Sequence, residues 1–595
     1  MERYQDIFDF IIRQETSYAK HIKLPTGKMW SMKDHINRSA LYRDSDIVGE
    51  KDKFTPIKNI TRPILNLQYR TEDIDVKDVQ LYVDDSAKYH LSFLVKKYHD
   101  DVFVVEHDLD TYFDQLNQSR VDFGAGLSKS LSSPLPETVP LQSIAFCDQR
   151  DILSRPIGLK HSYSPDELMG MASKGWGDSS KGATASLRDV IRLSRENPRD
   201  GVSEGDIEIY EVHGNVPKRF ATPSDDSEEY ETRLFICCFY QKKDSMEKTG
   251  ITLYSALETE SPFKLVKRDP IYGRALGFGG AEELYEAQVW ITYAMIRELH
   301  MLDSASKTIL KASGAASATI ANKNNINNLE NNQIIDVGEG DLSQVDTFPR
   351  NIKLFDNSVA AWETHAQQMG AANDSIMGEK PSAGTPFKLQ ELVTAESHGL
   401  HDYRRGQFAK HLEEIYRDWI IPHIEKKICQ GATFLSELSL EELQYVTEAL
   451  VTNEANRMIK SMVLSGEDVT PEMVEEHKLK VAENFKKKGT KHFIEILKGE
   501  FKGATLGVKI NIAGKQKNLA ARVDKLTNIV RTVMAAPQLL STPAMANIFN
   551  QIIEASGLDP VDFSNFEVPP PPEAAQPPQT PPQPLALSVG ARANG

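Results

Sequence analysis

Four glycines, Gly273, Gly277, Gly279 and Gly280, stand just before a run of helical periodicity, the kind of approach from which phosphate-holding helix N-termini are built. The neighbouring residues argue against a nucleotide. No βαβ pattern flanks the cluster, no acidic residue ends a strand at the expected distance, and Glu282 and Glu283 put negative charge where a pyrophosphate would sit. A flexible hinge feeding a helix is the simpler expectation. No G-x-x-x-x-G-K-[ST] occurs, so a P-loop motor is not expected. His398 and His401, with His411 beyond them, could share a helix face. However, H-E-x-x-H is missing and Arg404 and Arg405 are close by, which favours a solvated or inter-subunit face over a metal. Asp108, Asp110 and Asp114 imitate the start of a calcium loop, but Tyr112 takes the fifth position and the glycine at the sixth is absent. The cysteines, Cys147, Cys237, Cys238 and Cys429, form no C-x-x-C pair, and adjacent Cys237 and Cys238 should point to opposite faces of a strand. With no G-x-S-x-G and no Cys/His pairing, no nucleophile is matched to a base. The expectation is therefore a protein without catalytic residues, metal or cofactor.

The chemistry that remains is that of surfaces, and the composition bounds it. The chain has 595 residues, 40% hydrophobic and 26% charged, which is globular and too long for one ordinary core. Sixty-nine basic against 85 acidic side chains give a formal charge of −16, the wrong sign for a protein that grips nucleic acid over its whole surface. There is no run of about 18 apolar residues and no signal-peptide pattern at the start, so a cytoplasm-like compartment and no membrane are expected.

The elements that must position these surfaces follow from periodicity. An amphipathic helix is expected over Tyr4 to Glu15, followed by a loop-like segment to Lys58. A helix or extended run through Ile64 to Tyr69 and a strand at Val79 to Val83 come next, then helical spacing over 87–119 in which VFVV is ambiguous. From Val121 to about 270, short apolar runs separated by Gly and Pro (VDFGAG, SIAFCD, GLKHSY, DIEIYEVHG, RLFICCFY, ITLYSA) read as strands of an antiparallel α+β body, with Ser164-Pro165-Asp166-Glu167 starting a helix. A long helix from Ala281 to about Lys307 carries an apolar stripe of Leu284, Gln288, Ile291, Met295, Leu299 and Leu302, with Glu282, Glu283, Glu286, Arg297 and Glu298 on the other faces. A polar insert at 315–332 follows, between the strand-like TILKA and QIIDVGEG. A second helix, capped by Asp356, sets Val359, Trp362, Ala366 and Met369 on one face and ends at Gly370. After the loop SIMGEKPSAGTP, a helix of roughly 40 residues should run from Thr385 to Ile428, with kinks at Gly399, Gly406 and Pro422. Ser439 with Glu442, and Thr470 with Pro471, start further helices. LGVKINIAG reads as a strand, 515–558 as helical, and the prolines after Val568 as a disordered or polyproline II tail.

The order of these parts resembles the portal proteins of tailed bacteriophages. GFGGAEELYEAQVWITYAMIRELHMLDSASKTILKASG at 277–314 is similar to the first stem helix and the start of the clip. QIIDVGEG at 333–340 is similar to the returning clip strand, LFDNSVAAWETHAQQMGAAND at 354–374 to the second stem helix, and SIMGEKPSAGTPFKLQ at 375–390 to the tunnel loop. More loosely, NITRPILNLQYRTEDIDV and DIEIYEVHGNVPKRF resemble wing segments. The proline tail departs from the family pattern.

The resemblance implies an α+β portal-like fold with an N-terminal segment (1–58), a wing (59–276), stem helix 1 (277–307), a clip (308–352), stem helix 2 (353–374), a tunnel loop (375–387), a long kinked wing helix and the rest of the wing (388–514), crown helices (515–567) and the tail (568–595). It implies a ring, usually of twelve subunits, at one capsid vertex of a virion assembled in the host cytoplasm. The ring would serve DNA packaging and ejection, with the major capsid protein, the terminase large subunit, head-tail adaptor or tail proteins and non-specifically passing double-stranded DNA as partners. Leu284, Ile291, Met295, Leu299, Val359, Trp362 and Met369 would bury the stem against neighbouring subunits, and acidic residues would line a channel that DNA slides past. Gly378, Lys380, Gly384 and Lys388 would face DNA, or belong to an ordinary surface loop. Asn322, Lys323, Asn324 and Asn325 would dock the motor or adaptor. The alternatives are a cytoplasmic helical scaffold or adaptor whose proline tail binds an aromatic groove, and an enzyme holding a nucleotide at Gly277 and Gly279.

Overall fold

A computed structural model of the chain describes residues 2–44, 58–83, 89–130, 135–154, 156–196, 206–221, 229–241, 248–306, 310–313, 341–344, 352–372, 399–465, 470–502 and 505–510. In chain order the elements are α1 (Glu2–Tyr18), β1 (Ile22–Lys23), β2 (Met29–Trp30), α2 (Met32–Asp44), α3 (Thr61–Thr71), β3 (Val79–Val83), α4 (Tyr89–Tyr98), α5 (Val104–His107), α6 (Leu109–Phe123), β4 (Ala125–Lys129), β5 (Glu137–Val139), β6 (Ile144–Phe146), β7 (Ile157–Tyr163), α7 (Pro165–Gly170) and α8 (Leu187–Glu196). There follow β8 (Ile207–Pro217), β9 (Tyr230–Gln241), β10 (Lys248–Leu257), β11 (Phe263–Lys267), α9 (Gly280–Ser306), β12 (Leu310–Ser313), β13 (Asp341–Gln344), α10 (Ile352–Met369), α11 (Gly399–Ile415), α12 (Ile421–Gln430), α13 (Ala432–Leu435), α14 (Leu440–Leu464), α15 (Pro471–Phe501) and β14 (Leu506–Ile510). The fold is mixed helix and sheet, and no helix among the described residues is long and apolar enough to cross a membrane.

The central layer is an antiparallel sheet in the order β10-β9-β8-β7-β6. Its strands alternate as a two-sided sheet must. Phe235 and Cys237 of β9, with Tyr210 and Val212 of β8, face a core shared with α1, α2, β4 and β6. Leu234, Ile236 and Cys238, with Ile207 and Ile209, face the core beneath α7 and α8. The adjacent cysteines thus bury on opposite faces, as their positions in one strand require. A three-stranded sheet (β11-β4-β5) continues the first core, and β3 pairs antiparallel with β14 from far along the chain, over a third core formed with α4, α6 and α11 to α15. The fourth core joins α3 and α6 to the antiparallel helices α9 and α10.

Several local expectations differ from the structure. The loop-like stretch before Lys58 contains the β1–β2 hairpin and α2, because Trp30, Met32 and Ile36 bury despite their polar surroundings. Val121 to Phe123 end α6 instead of starting a strand: Gly124, at φ 80°, takes the left-handed cap conformation and turns the chain into β4. VFVV lies in a π turn (His99–Phe103) and α5. Asp356 does not cap α10, which begins at Ile352, one turn earlier. Of the three expected kinks, Gly406 lies in unbroken helix and Gly399 is simply where the described part of α11 begins. Pro422 is preceded by a second π turn, Tyr416–Ile420, the widening that lets a helix pass a residue with no N–H. The two π turns touch, with His99 Nε2 and Tyr416 Oη 2.9 Å apart. The capping boxes at Ser164 and Ser439 form as expected. QIIDVGEG, the polar insert, the loop after α10, the 515–558 segment and the proline tail lie outside the described residues.

Candidate functional site

The feature that best combines local chemistry with an exposed surface is the pair α9 and α10, held at its base by a buried cluster of charges. At the base, the glycines ahead of α9 prove to be packed. Gly277 N–H donates to Gly124 O at 3.1 Å, and a Cβ added at Gly277 would lie 1.8 Å from Arg268 O. The glycines allow two backbones to cross, so the expected flexible hinge is corrected to a tight crossing with no room for a pyrophosphate.

From this crossing Arg268, wholly buried, reaches Glu72, also wholly buried, with Nη2 at 2.9 Å and Nε at 3.1 Å. Arg120 Nη2 lies 3.0 Å from the same carboxylate, and Arg404 Nη1 lies 3.4 Å from it. Arg404 also pairs with Glu283 of α9 at 2.5 Å and with Asp269 at 2.8 Å. Glu283 in turn meets Arg268 at 3.3 Å and accepts from Gln68 Nε2 at 3.1 Å. Gln68 and His401 clasp the end of α10 by donating to the carbonyls of Gly370 and Ala371, each at 3.1 Å, carbonyls that the last turn of a helix leaves without intrahelical partners. Three arginines thus face three carboxylates, which is the only condition under which so many buried charges are tolerable. Burial pushes the Glu72 carboxyl up, but Arg268 and Arg120 with the His401 hydrogen bond outweigh it and hold it well below the usual range. Burial takes the Arg120 guanidinium down to about 10, against the pull of Glu72, leaving it charged at neutral pH.

One turn further along α9, Gln288 occupies the apolar stripe and is 1% exposed. Its Oε1 accepts from Ile60 N at 3.0 Å and Thr61 Oγ1 at 3.2 Å, and its Nε2 donates to Lys58 O at 2.9 Å. It therefore adds to the start of α3, where Asn59 Oδ1 already accepts from Arg62 N at 2.9 Å, a partner for the Ile60 N–H. Beyond it Trp290 and Trp362 stack at 6.0 Å with planes 8° apart, joining α9 to α10.

The seven residues expected to pack between subunits divide along the pair. Leu284 and Ile291 are fully buried within the chain against α3 and α6, so they offer a neighbouring copy nothing, which corrects that expectation. Met295, Val359 and Trp362 are half-buried, whereas Leu299 (47%) and Met369 (43%) are exposed. Leu302 and Leu354 are exposed as well, as are Trp290 and Tyr293. The far end of the pair thus carries an apolar surface that the described residues leave exposed. Not all acidic residues of α9 are free to line a channel: Glu283 lies in the buried cluster and Glu282 pairs with Arg274 at 2.6 Å.

The histidines were expected on a solvated or inter-subunit face. His401 and His411 are instead buried, and His398 lies outside the described residues. Among the described residues no group of three or more His, Cys, Asp or Glu could hold a metal. Gly378, Lys380, Gly384, Lys388, Asn322, Lys323, Asn324 and Asn325 also lie outside the described residues. Sequence reasoning missed the buried charges Glu72, Arg120, Arg268 and Glu283. The one signal was their position in or beside apolar faces, as with Arg120 between Leu116 and Val121 on α6.

No family model and no curated protein matches the chain. Among the solved structures similar to it are two from one kind of particle. One is a chain in the neck of an empty gene transfer agent particle computed with C6 symmetry, at 9% identity and a TM-score of 0.31, covering 88% of this chain and 94% of that one. The other is a chain in the virion of the native gene transfer agent particle, at 10% identity and a TM-score of 0.28, covering 88% and 100%.

Proposed function

We propose that the chain is a non-catalytic subunit of a ring that forms a DNA conduit at one vertex of a phage-like capsid, a portal protein. The observation that carries this reading is the α9–α10 pair, fixed at its base by buried ion pairs and bearing Leu299, Leu302 and Leu354 uncovered at its far end. A helical pair with an apolar side that the described residues leave exposed is what a subunit needs to join copies of itself, and a heterologous contact of that kind forms a ring if its rotation closes. The order of parts found in the sequence supplies the rest of the proposal. The segment between α9 and α10, with Asn322, Lys323, Asn324 and Asn325, would dock a terminase during packaging and tail or adaptor proteins afterwards. The segment after α10, with Gly378, Lys380, Gly384 and Lys388, would touch passing DNA. The net charge of −16 suits a wall along which DNA slides without sticking.

The test is native mass with averaged images of the full-length protein. Twelve copies of 66.7 kDa give a closed ring of about 0.8 MDa with a central hole. A monomer or dimer at every concentration and salt, with capsid protein present, would refute the reading. If the loop grips DNA, deletion of 378–385 in a packaging system should shorten or destabilise the retained genome. Full-length, stably held genomes would remove the loop's assigned role.

A further inference from the structure

The charge of the chain is unevenly distributed. Between Lys478 and Lys502 stand eight lysines and three glutamates, a local excess of five positive charges in a chain of −16. This stretch forms most of α15, one face of which is committed to the core. Leu497 and Phe501 are buried in that core with Phe493, Ile494 and Ile496 packed beside them, and Val481 is buried before the break. With that face held against α12 and α14, Lys480, Lys486, Lys487 and Lys491 stand in solvent. Lys480 and Lys487 are each balanced by a glutamate one turn earlier, Glu476 at 2.6 Å and Glu483 at 3.5 Å. Surface pairs of this kind contribute little and yield readily to a better anion.

The helix breaks within this stretch. Gly489 has φ 72° and ψ −175°, and an added Cβ would meet nothing within 4 Å, so the bend lies in open space. Glycine is the residue that takes this conformation at least cost. The break places Lys486 and Lys487 before, and Lys491 after, one exposed corner.

Ammonium groups on flexible stems act as point charges, and they match an evenly spaced polyanion without reading its sequence. A second copy of the chain is the less suitable occupant, because the centres of protein interfaces are depleted in lysine. We infer that the lysine corner of α15 binds the phosphate backbone of double-stranded DNA, loosely and without regard to sequence, at a place on the body separate from α9 and α10. This inference rests on the conduit reading, since that reading brings DNA to the protein. It gives the acidic chain one surface on which DNA is retained rather than passed.

The test uses the full-length protein and a labelled duplex of about 40 base pairs, with affinity followed from about 50 to 200 mM salt and native mass measured in parallel. Changing Lys480, Lys486, Lys487 and Lys491 together to Gln should lower the slope of log affinity against log salt by about 0.9 per charge, while the fourfold Arg variant keeps it. Unchanged slope and affinity in the Gln variant, at an unchanged melting temperature, would overturn the inference. So would loss of ring mass with DNA binding intact, which would make the corner a contact between copies. A wild-type protein that never forms a ring but shows the lysine-dependent slope would sustain this inference and refute the conduit.

Discussion

Replacing Glu72 by Gln keeps the shape of the side chain and removes one charge from a site with no solvent exposure. Arg268, Arg120 and Arg404 then face each other with only Glu283 and Asp269 to balance them, and only Glu283 among these two is buried. Glu72 and Arg268 are both 0% exposed, so solvent screening does not soften the loss, and removing one member of such a pair costs about 3–5 kcal/mol. The unit formed by Met1–Ile512 unfolds, if cooperatively, with an entropy of about 2.1 cal/mol/K per residue, or roughly 1.1 kcal/mol/K. The melting temperature should therefore fall by about 3–5 °C. Calorimetry of the full-length variant measures this, and amide exchange should quicken at the first turn of α9 and the last turn of α10, which the cluster clasps. A second change, Arg268→Met in the Glu72→Gln background, should recover part of the loss, because the pair can be replaced more cheaply than it can be halved. The depressed carboxyl also fixes a pH dependence. Its contribution is fully present above about 4.5, the unfolded value, and disappears as pH falls through the lower folded value. A fall of less than about 1 °C in the Gln variant, with exchange unchanged, would refute the view that this cluster anchors the helical pair.

Further outcomes follow from the same geometry. Gly277→Ala should fold poorly or melt well below wild type, since its Cβ would sit 1.8 Å from Arg268 O; a thermal melt decides it. Leu299→Asp with Leu302→Asp should leave the melting temperature of the single chain nearly unchanged, because both are exposed, yet shift native mass from rings to smaller species. His411 is driven down to about 3 by burial, with Lys264 and Arg120 adding to it. Its neutral burial contributes fully above about 6.5 and loses that contribution as pH falls toward 3, so His411→Gln should flatten the stability profile across that window.

The elements were legible where one local rule governed them. Ser164 and Ser439 carry complete capping boxes, and the alternation through RLFICCFY placed Cys237 and Cys238 on opposite faces. The start of α10 was misread because Asp356 satisfies the cap rule while the helix already runs from Ile352. The glycines before α9 were read as slack because a one-dimensional pattern cannot reveal the strand end at Arg268 and the turn at Gly124 that press against Gly277. The buried charge cluster was least legible. Its members are scattered along the chain, and a charged residue is ordinarily assigned to the surface until its partners are known. The apolar stripe of α9 was seen, but not that its first half belongs to the chain's own core while its far end is exposed among the described residues.

The scatter of the charge cluster also bears on the order of events during synthesis. Glu72 and Arg404, which meet in the finished protein, are separated by 332 positions. At a ribosomal rate of about 5–20 residues per second, Glu72 waits roughly 17–66 s for Arg404 to be made. Once residue 306 is made α9 can form as a helix, and Glu283 at its base can already meet Arg268 and Gln68, but the contact with Arg404 is still missing. The helical pair that would join one subunit to the next is therefore fully anchored only after residue 404, and the pairing of β3 with β14 comes later still. Association through it is deferred until the chain is made past residue 404, which lowers the chance that nascent copies stick together before they are whole.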